Sequence, residues 1–219
     1  MRVGARSDSA PNQRRAAPRW WRRWLPWLGL MLGLALIIAA GVGSATRVTV
    51  APQVGAVPPA AQQAPQPGPT ATSVEIPHRL MLPSLRVDAP IVPVSTLPRG
   101  GLAVPADPDV LGWWQGGTRP GSGQGTVVID GHVDTAVDGP GALFHLRELR
   151  PGDPVVLSTD HGPRTYVVAA LRSFVKADLP AEVFASSGQP RLVIITCGGP
   201  FNERTRQYAD NVVAYAVPA

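Results

Sequence analysis

Arg191-Leu-Val-Ile-Ile-Thr-Cys197 is an apolar run that breaks directly into Gly198-Gly199-Pro200, and it reads as a buried strand with a chemically distinctive residue at its end. Cys197 is the only cysteine among 219 residues. A lone thiol forms no disulfide within its own chain, and one cysteine is too few for a cysteine-based zinc site. It is therefore either an inert buried residue or a nucleophile.

The same short-strand pattern recurs on both sides of this run. Apolar or alternating stretches occur at 78–82 (HRLML), 89–94 (APIVPV), 125–129 (GTVVI), 154–158 (PVVLS), 165–171 (TYVVAAL), 191–196 and 211–217 (NVVAYAV), with Pro and Gly between them. Many short strands joined by turn residues predict an all-β barrel or sandwich rather than a doubly wound sheet. Helical signals are weak. Leu143, Leu146 and Leu149 stand three apart in 141–149, and 180–185 has room for one turn.

Residues 24–46 are 23 consecutive uncharged, mostly apolar positions. At about 1.5 Å per residue they are long enough to cross a hydrocarbon core of roughly 30 Å, which predicts a transmembrane helix. Seven arginines precede this stretch against the single acid Asp8, and Arg47 alone follows closely. That bias predicts a cytoplasmic basic tail at 1–23 and an extracellular remainder, with Trp20, Trp21, Trp24 and Trp27 at the inner headgroup level. A cleaved signal peptide is the alternative, but its apolar core is usually only ~7–15 residues, so a retained anchor is preferred. Residues 47–75, rich in Pro, Ala and Gln and uncharged over 48–73, predict an extracellular stalk. A single folded domain is expected at 76–219, long enough for its own core. The expected localisation is the cell membrane, single-pass, which places Cys197 outside the cytoplasm. A free thiol is uncommon there, which strengthens the case for chemistry.

The formal charge of +5 is concentrated in the tail: residues 76–219 carry 12 basic and 13 acidic side chains. A folded part with no basic excess cannot neutralise phosphates, so nucleic acid is excluded as a partner.

Thr126-Val-Val-Ile-Asp-Gly-His132 is a second strand that delivers a functional residue at its mouth. If its strand and that of Cys197 share a sheet, imidazole and thiol meet at one edge. The imidazole then serves as base for the thiol and as acid for a leaving amine. Acyl transfer also needs a group for the oxyanion. Arg204 and Arg206 follow the thiol before the last strand, and Arg206, nine residues on, is preferred. Trp113-Trp114 is expected to pack on the barrel or stalk, and His78, His145 and His161 to be structural or solvated. Asp130, His132 and Asp134 read as a turn network rather than a metal site, so no metal and no cofactor are expected.

Leu192-Val-Ile-Ile-Thr-Cys197 followed by an arginine-bearing loop and a terminal strand resembles the active-site end of the sortases, the membrane-anchored cysteine transpeptidases of Gram-positive bacteria. Asp130-Gly-His132, Phe144-His-Leu146 and Gly152-Asp153 resemble the histidine strand and connection of that family. Met81-Leu-Pro83 and Val87-Asp-Ala-Pro90 fit near the domain start. Cys197-Gly-Gly-Pro-Phe201 with Tyr208 and Asn211-Val-Val is most similar to the actinobacterial class F branch.

The resemblance implies a closed eight-stranded β-barrel and a two-step reaction. Cys197 attacks a Leu-Pro-X-Thr-Gly-like sorting signal to form a thioester, and a cell-wall precursor amine resolves it. It also implies surface proteins bearing that signal as partners, His132 as general acid/base, an arginine at the oxyanion, and Thr196 as a groove residue. Many sortases start the last strand with the catalytic arginine. Here that place reads Tyr208-Ala-Asp-Asn211, so the third role falls to Arg206, Arg204 or the neutral amide of Asn211. Two other readings compete: an L,D-transpeptidase-type cell-wall enzyme, whose His-Gly-Cys-like signature Ile195-Thr-Cys-Gly does not match, and a surface adhesion or scaffold domain with an inert Cys197.

Overall fold

A computed structural model of the chain describes residues 53–59, 75–98 and 100–219. The expected tail at 1–23, the expected membrane helix at 24–46 and most of the expected stalk lie outside the described residues. Among the described residues, no helix is long and apolar enough to cross a membrane.

Eleven strands form in chain order: β1 Val54–Gly55, β2 Pro77–Leu82, β3 Val87–Val94, β4 Leu111–Trp114, β5 Thr126–Asp130, β6 Asp134–Thr135, β7 Gly139–Pro140, β8 Pro154–Thr159, β9 Gly162–Val175, β10 Arg191–Asn202 and β11 Gln207–Pro218. The main sheet runs β9-β11-β10-β5-β4-β3-β2-β8, and β8 pairs back onto β9. Those eight strands therefore close into a barrel, which removes open sheet edges. β3 and β4 pair in parallel, as do β5 and β10.

The barrel interior is filled by one face of each strand, including Leu80, Leu82, Ile129, Leu157, Leu192 and Ile194, each fully buried. Truncating any one of these leucines or isoleucines to Ala is expected to cost about 2–5 kcal/mol. β8 alternates strictly, with Val155, Leu157 and Thr159 buried, because its other face meets solvent. β5 and the first six residues of β10 are buried throughout, because a second apolar layer covers their outer face.

That layer comes from connections rather than helices. The β9–β10 connection contributes Leu179, Val183 and Phe184, and Trp114 at the end of β4 packs beside them. The Trp114 and Phe184 rings meet edge to face at 5.3 Å, and the indole N–H of Trp114 donates to Thr96 Oγ1 at 2.9 Å. Trp113 points the other way, into the barrel, with 1 % exposure. The tryptophan pair thus packs as expected, but it does so from within a strand the sequence reading did not assign. The regions with weak helical signals form only short 3-10 turns, at Leu146–Glu148 and Ala181–Phe184. A three-residue leucine spacing suits that geometry, and Leu143, Leu146 and Leu149 are all buried against the barrel.

Part of the segment read as stalk lies against the barrel. β1 pairs with Ala170 and Leu171 on the stretch of β9 beyond its pairing with β8. The Arg172 guanidinium donates to the carbonyls of Val54 and Gly55. Arg191, 2 % exposed, donates to Thr126 Oγ1 at 2.8 Å and to the carbonyls of Pro58 and Glu182, with the Tyr215 ring 5.7 Å away.

Candidate active site

The parallel register of β5 and β10 sets the geometry. Asp130 is level with Ile195, and the pairing continues past the strand end through the Gly131 N–H, which donates to the Ile195 carbonyl at 3.2 Å. Thr196 is buried and donates its hydroxyl to the Gly131 carbonyl at 2.9 Å. Two residues beyond Asp130 stands His132, and two beyond Ile195 stands Cys197. Adjacent strands lie about 4.8 Å apart, so the two residues emerge side by side at the same end of the barrel.

Side-chain alternation assigns the face. Leu192 and Ile194 of β10 point into the barrel, whereas Val193 and Ile195 lie in the outer cluster. Cys197 continues the outer series, half-buried, with a free thiol. On β11, Val212 points inward and Val213 outward, so Asn211 faces outward with Cys197, its direct antiparallel partner. Opposite residues of such a pair hold their Cβ atoms about 4.5–5.5 Å apart.

His132 is half-buried, and its Nε2 lies 2.9 Å from the Pro105 carbonyl oxygen. A carbonyl only accepts, so Nε2 carries a proton in this contact, and the lone pair of the neutral ring sits on Nδ1. The β3–β4 connection thereby fixes the tautomer and leaves Nδ1 as the basic atom. Sequence reading gave no sign of this contact, because a backbone carbonyl 27 positions away carries no residue signature.

A second link was missed because its two side chains stand 74 positions apart. Tyr208 Oη donates to Asp134 Oδ2 at 2.5 Å, and its ring meets Phe201 at 5.0 Å. The bond to Asp134 is the main cause holding the Tyr208 phenol up at about 12, with the Cys197 charge among the smaller contributors. The tyrosine therefore lies within electrostatic reach of the thiol.

The sortase domain family matches residues 80–219, from the middle of β2 to the end of the chain and well over half its length. The chain belongs to the sortase family. Sortases are cysteine transpeptidases, and this protein is an enzyme of that kind. Its fold is similar to sortase A from Corynebacterium diphtheriae, with a TM-score of 0.52 and 19 % identity over 66 % of this chain and 60 % of that one. A lid mutant of the same sortase A gives 0.51 and 19 % over 65 % and 69 %. Sortase C1 from Streptococcus agalactiae, in complex with MTSET, gives 0.50 and 14 % over 65 % and 68 %. At these identities the likeness is one of fold. No curated protein matches the sequence.

In this sortase the two arginines proposed for the third role lie on the tip of the β10–β11 hairpin, both exposed. Asn202 Oδ1 accepts from the backbone N–H groups of Arg204 and Thr205 at 3.0 and 3.1 Å, which shapes the turn. Arg206 closes it with a left-handed backbone, φ 56°. Five positions separate Arg206 from Asn211, about 17 Å of extended strand. The ladder bulges between Gly198 and Phe201, the natural place for the hairpin to bend toward the thiol. Of the other histidines, His145 pairs with Glu148 at 2.7 Å and His161 with Asp160 at 2.9 Å, both at the surface. Among the described residues no cluster of three or more His, Cys, Asp or Glu is arranged to hold a metal.

Proposed function

We propose that this sortase cleaves a Leu-Pro-X-Thr-Gly-like sorting signal on surface proteins and transfers the acyl group to a cell-wall amine. Cys197 is the nucleophile and His132 the general acid/base. The observation that carries this reading is the shared register: thiol and imidazole each stand two residues beyond the Ile195/Asp130 pair, Cys197 on β10 and His132 just past the end of its parallel neighbour β5. His132 Nδ1 takes the thiol proton as sulfur attacks the scissile carbonyl. The same nitrogen returns the proton to the departing amine, leaving a thioester. An incoming amine gives up its proton to His132 and displaces the thiolate.

For the oxyanion, two groups of one hairpin are available. Asn211 faces outward directly opposite Cys197, and Arg206 reaches the site when the hairpin bends at its bulge. Thr196, bonded to Gly131, holds the histidine loop level with the thiol and supports the groove from beneath. The class F assignment rests on Cys197-Gly-Gly-Pro-Phe201 and Asn211-Val-Val. The single-pass anchor with a cytoplasmic N-terminus rests on the apolar stretch at 24–46 and its arginine flank.

The test is mass spectrometry of the full-length protein with a Leu-Pro-X-Thr-Gly peptide library and triglycine, beside Cys197→Ala. A transpeptidation product, or a thioester adduct, that disappears in the variant is the expected result. No product and no adduct, with a thiol that resists alkylation in the folded protein, would leave an inert cysteine and a binding domain.

A further inference from the structure

Asp130 is the last residue of β5, 4 % exposed, and neither of its carboxyl oxygens has a hydrogen-bond partner in the protein. An unpartnered buried carboxyl is costly and requires an explanation. Its direction supplies one. Val127 and Ile129 fill the barrel interior while Val128 lies in the outer cluster, so Asp130 points outward, onto the floor that carries Ile195 and then Cys197. Across the ladder lies Gly112 of β4, where a Cβ would stand 2.3 Å from Asp130 Oδ1 and 3.0 Å from the Val94 methyls. Glycine at 112 thus makes the recess into which the carboxyl fits.

Burial raises this carboxyl to about 7, opposed only by the weaker pull of its own backbone N–H, which does not reach it as a hydrogen bond. The ionisable groups on the elements around it are few. His132 follows it on β5's exit, β10 carries Cys197 and, at its other end, Arg191, which bonds Thr126 at the start of β5, Glu182 of the β9–β10 connection is exposed, and β4 brings none. Asp88 of β3 and Asp107 and Asp109 of the β3–β4 connection are exposed. No cation neutralises the group, and the surrounding floor is apolar. A carboxyl kept so, two strand positions from the nucleophile, is an acceptor without a donor.

We propose that Asp130 is a specificity-determining residue of the groove, accepting a hydrogen bond from a donor of the bound peptide about two residues from the scissile carbonyl. Two strand positions span about 7 Å, the length of two residues of an extended peptide. The donor is a peptide-borne N–H or O–H, from the backbone or from a side chain. This inference rests on the sortase reading above.

The experiment compares wild type, Asp130→Asn and Asp130→Leu as full-length proteins, with triglycine as acceptor. Its peptides vary one side chain at a time or replace one backbone amide by an ester. Asp130→Leu is expected to raise KM at least tenfold with kcat within threefold, and Asp130→Asn, which keeps one acceptor oxygen, to recover most of the loss. One peptide change should cost the wild type the same factor and cost Asp130→Leu nothing further: a side-chain change identifies a side-chain donor, an ester a backbone N–H. A KM within twofold of wild type for Asp130→Leu on every peptide overturns the proposal. Should the variants fail to fold, or no peptide be turned over, the carboxyl carbon of Asp130 is titrated by NMR in Cys197→Ala with and without peptide. A midpoint lowered by peptide supports it, and an unchanged midpoint overturns it. Turnover with an unchanged midpoint rejects this inference alone, whereas absent turnover rejects the proposed sorting-signal substrate.

Discussion

Tyr208 on β11 and Asp134 beyond the His132 loop are joined by a hydrogen bond of 2.5 Å, so the strand pair bearing Cys197 is tied to the segment bearing His132. The two residues are 74 positions apart, and the bond adds to the Thr196–Gly131 contact. Two independent ties on the short exit from β5 restrict how far the imidazole can drift from the thiol. Tyr208→Phe is expected to lower stability by about 1–2 kcal/mol and to reduce kcat several-fold. The phenol of the wild type should titrate near 12 by absorbance and move back toward ordinary tyrosine in Asp134→Asn. An Asp134→Asn protein whose tyrosine titration is unchanged would show that the bond is not formed in solution.

Asp130 also predicts a pH dependence of stability. Its carboxyl is raised from 3.8 to about 7 on folding, so between those values the folded state binds more protons than the unfolded one, and stability falls as pH rises. The contribution is intact below about pH 4 and lost above about pH 7, with a total on the order of 4 kcal/mol. Denaturant melts should show Asp130→Asn gaining on wild type as pH climbs from 4 to 8. Parallel curves would mean the carboxyl is solvated.

At Arg206 the left-handed backbone, φ 56°, disfavours any side chain with a Cβ. Arg206→Gly is expected to raise stability by about 1 kcal/mol, read from the thermal midpoint. If its guanidinium serves the oxyanion, the same variant should lose about 100-fold in kcat/KM. Retained activity would assign the donor to Asn211, and Asn211→Ala then becomes the damaging change.

Arg172 anchors β1 through the Val54 and Gly55 carbonyls. In Arg172→Ala, amide exchange at 53–59 should accelerate at least tenfold while β5 and β10 stay protected. Equal protection in both proteins would show that the pairing with β9 suffices.

Seven of the eight barrel strands were legible because each is an apolar or alternating run of useful length. β4 was not: Leu111-Gly-Trp-Trp114 is four residues with a glycine inside, and its glycine serves Asp130 rather than any strand propensity. Cys197 and His132 stood out as rare residue types just after apolar runs, a signal that survives without coordinates, although β10 itself continues past Cys197 to Asn202. The weak helical readings became 3-10 turns, because burying three leucines spaced by three needs no longer element.

The sequence by itself determined the β class and the family and singled out Cys197 and His132 as candidates, because strand periodicity, a single thiol and local motif order are properties of neighbouring positions. Only the tertiary structure decided what each residue faces. The closure of β8 onto β9, the parallel register that levels Cys197 with His132, the Pro105 carbonyl on Nε2, the Asp134 bond to Tyr208 and the partnerless carboxyl of Asp130 all join segments distant in the chain. Burial and partner choice arise from the whole packed barrel, and no window of adjacent residues encodes them.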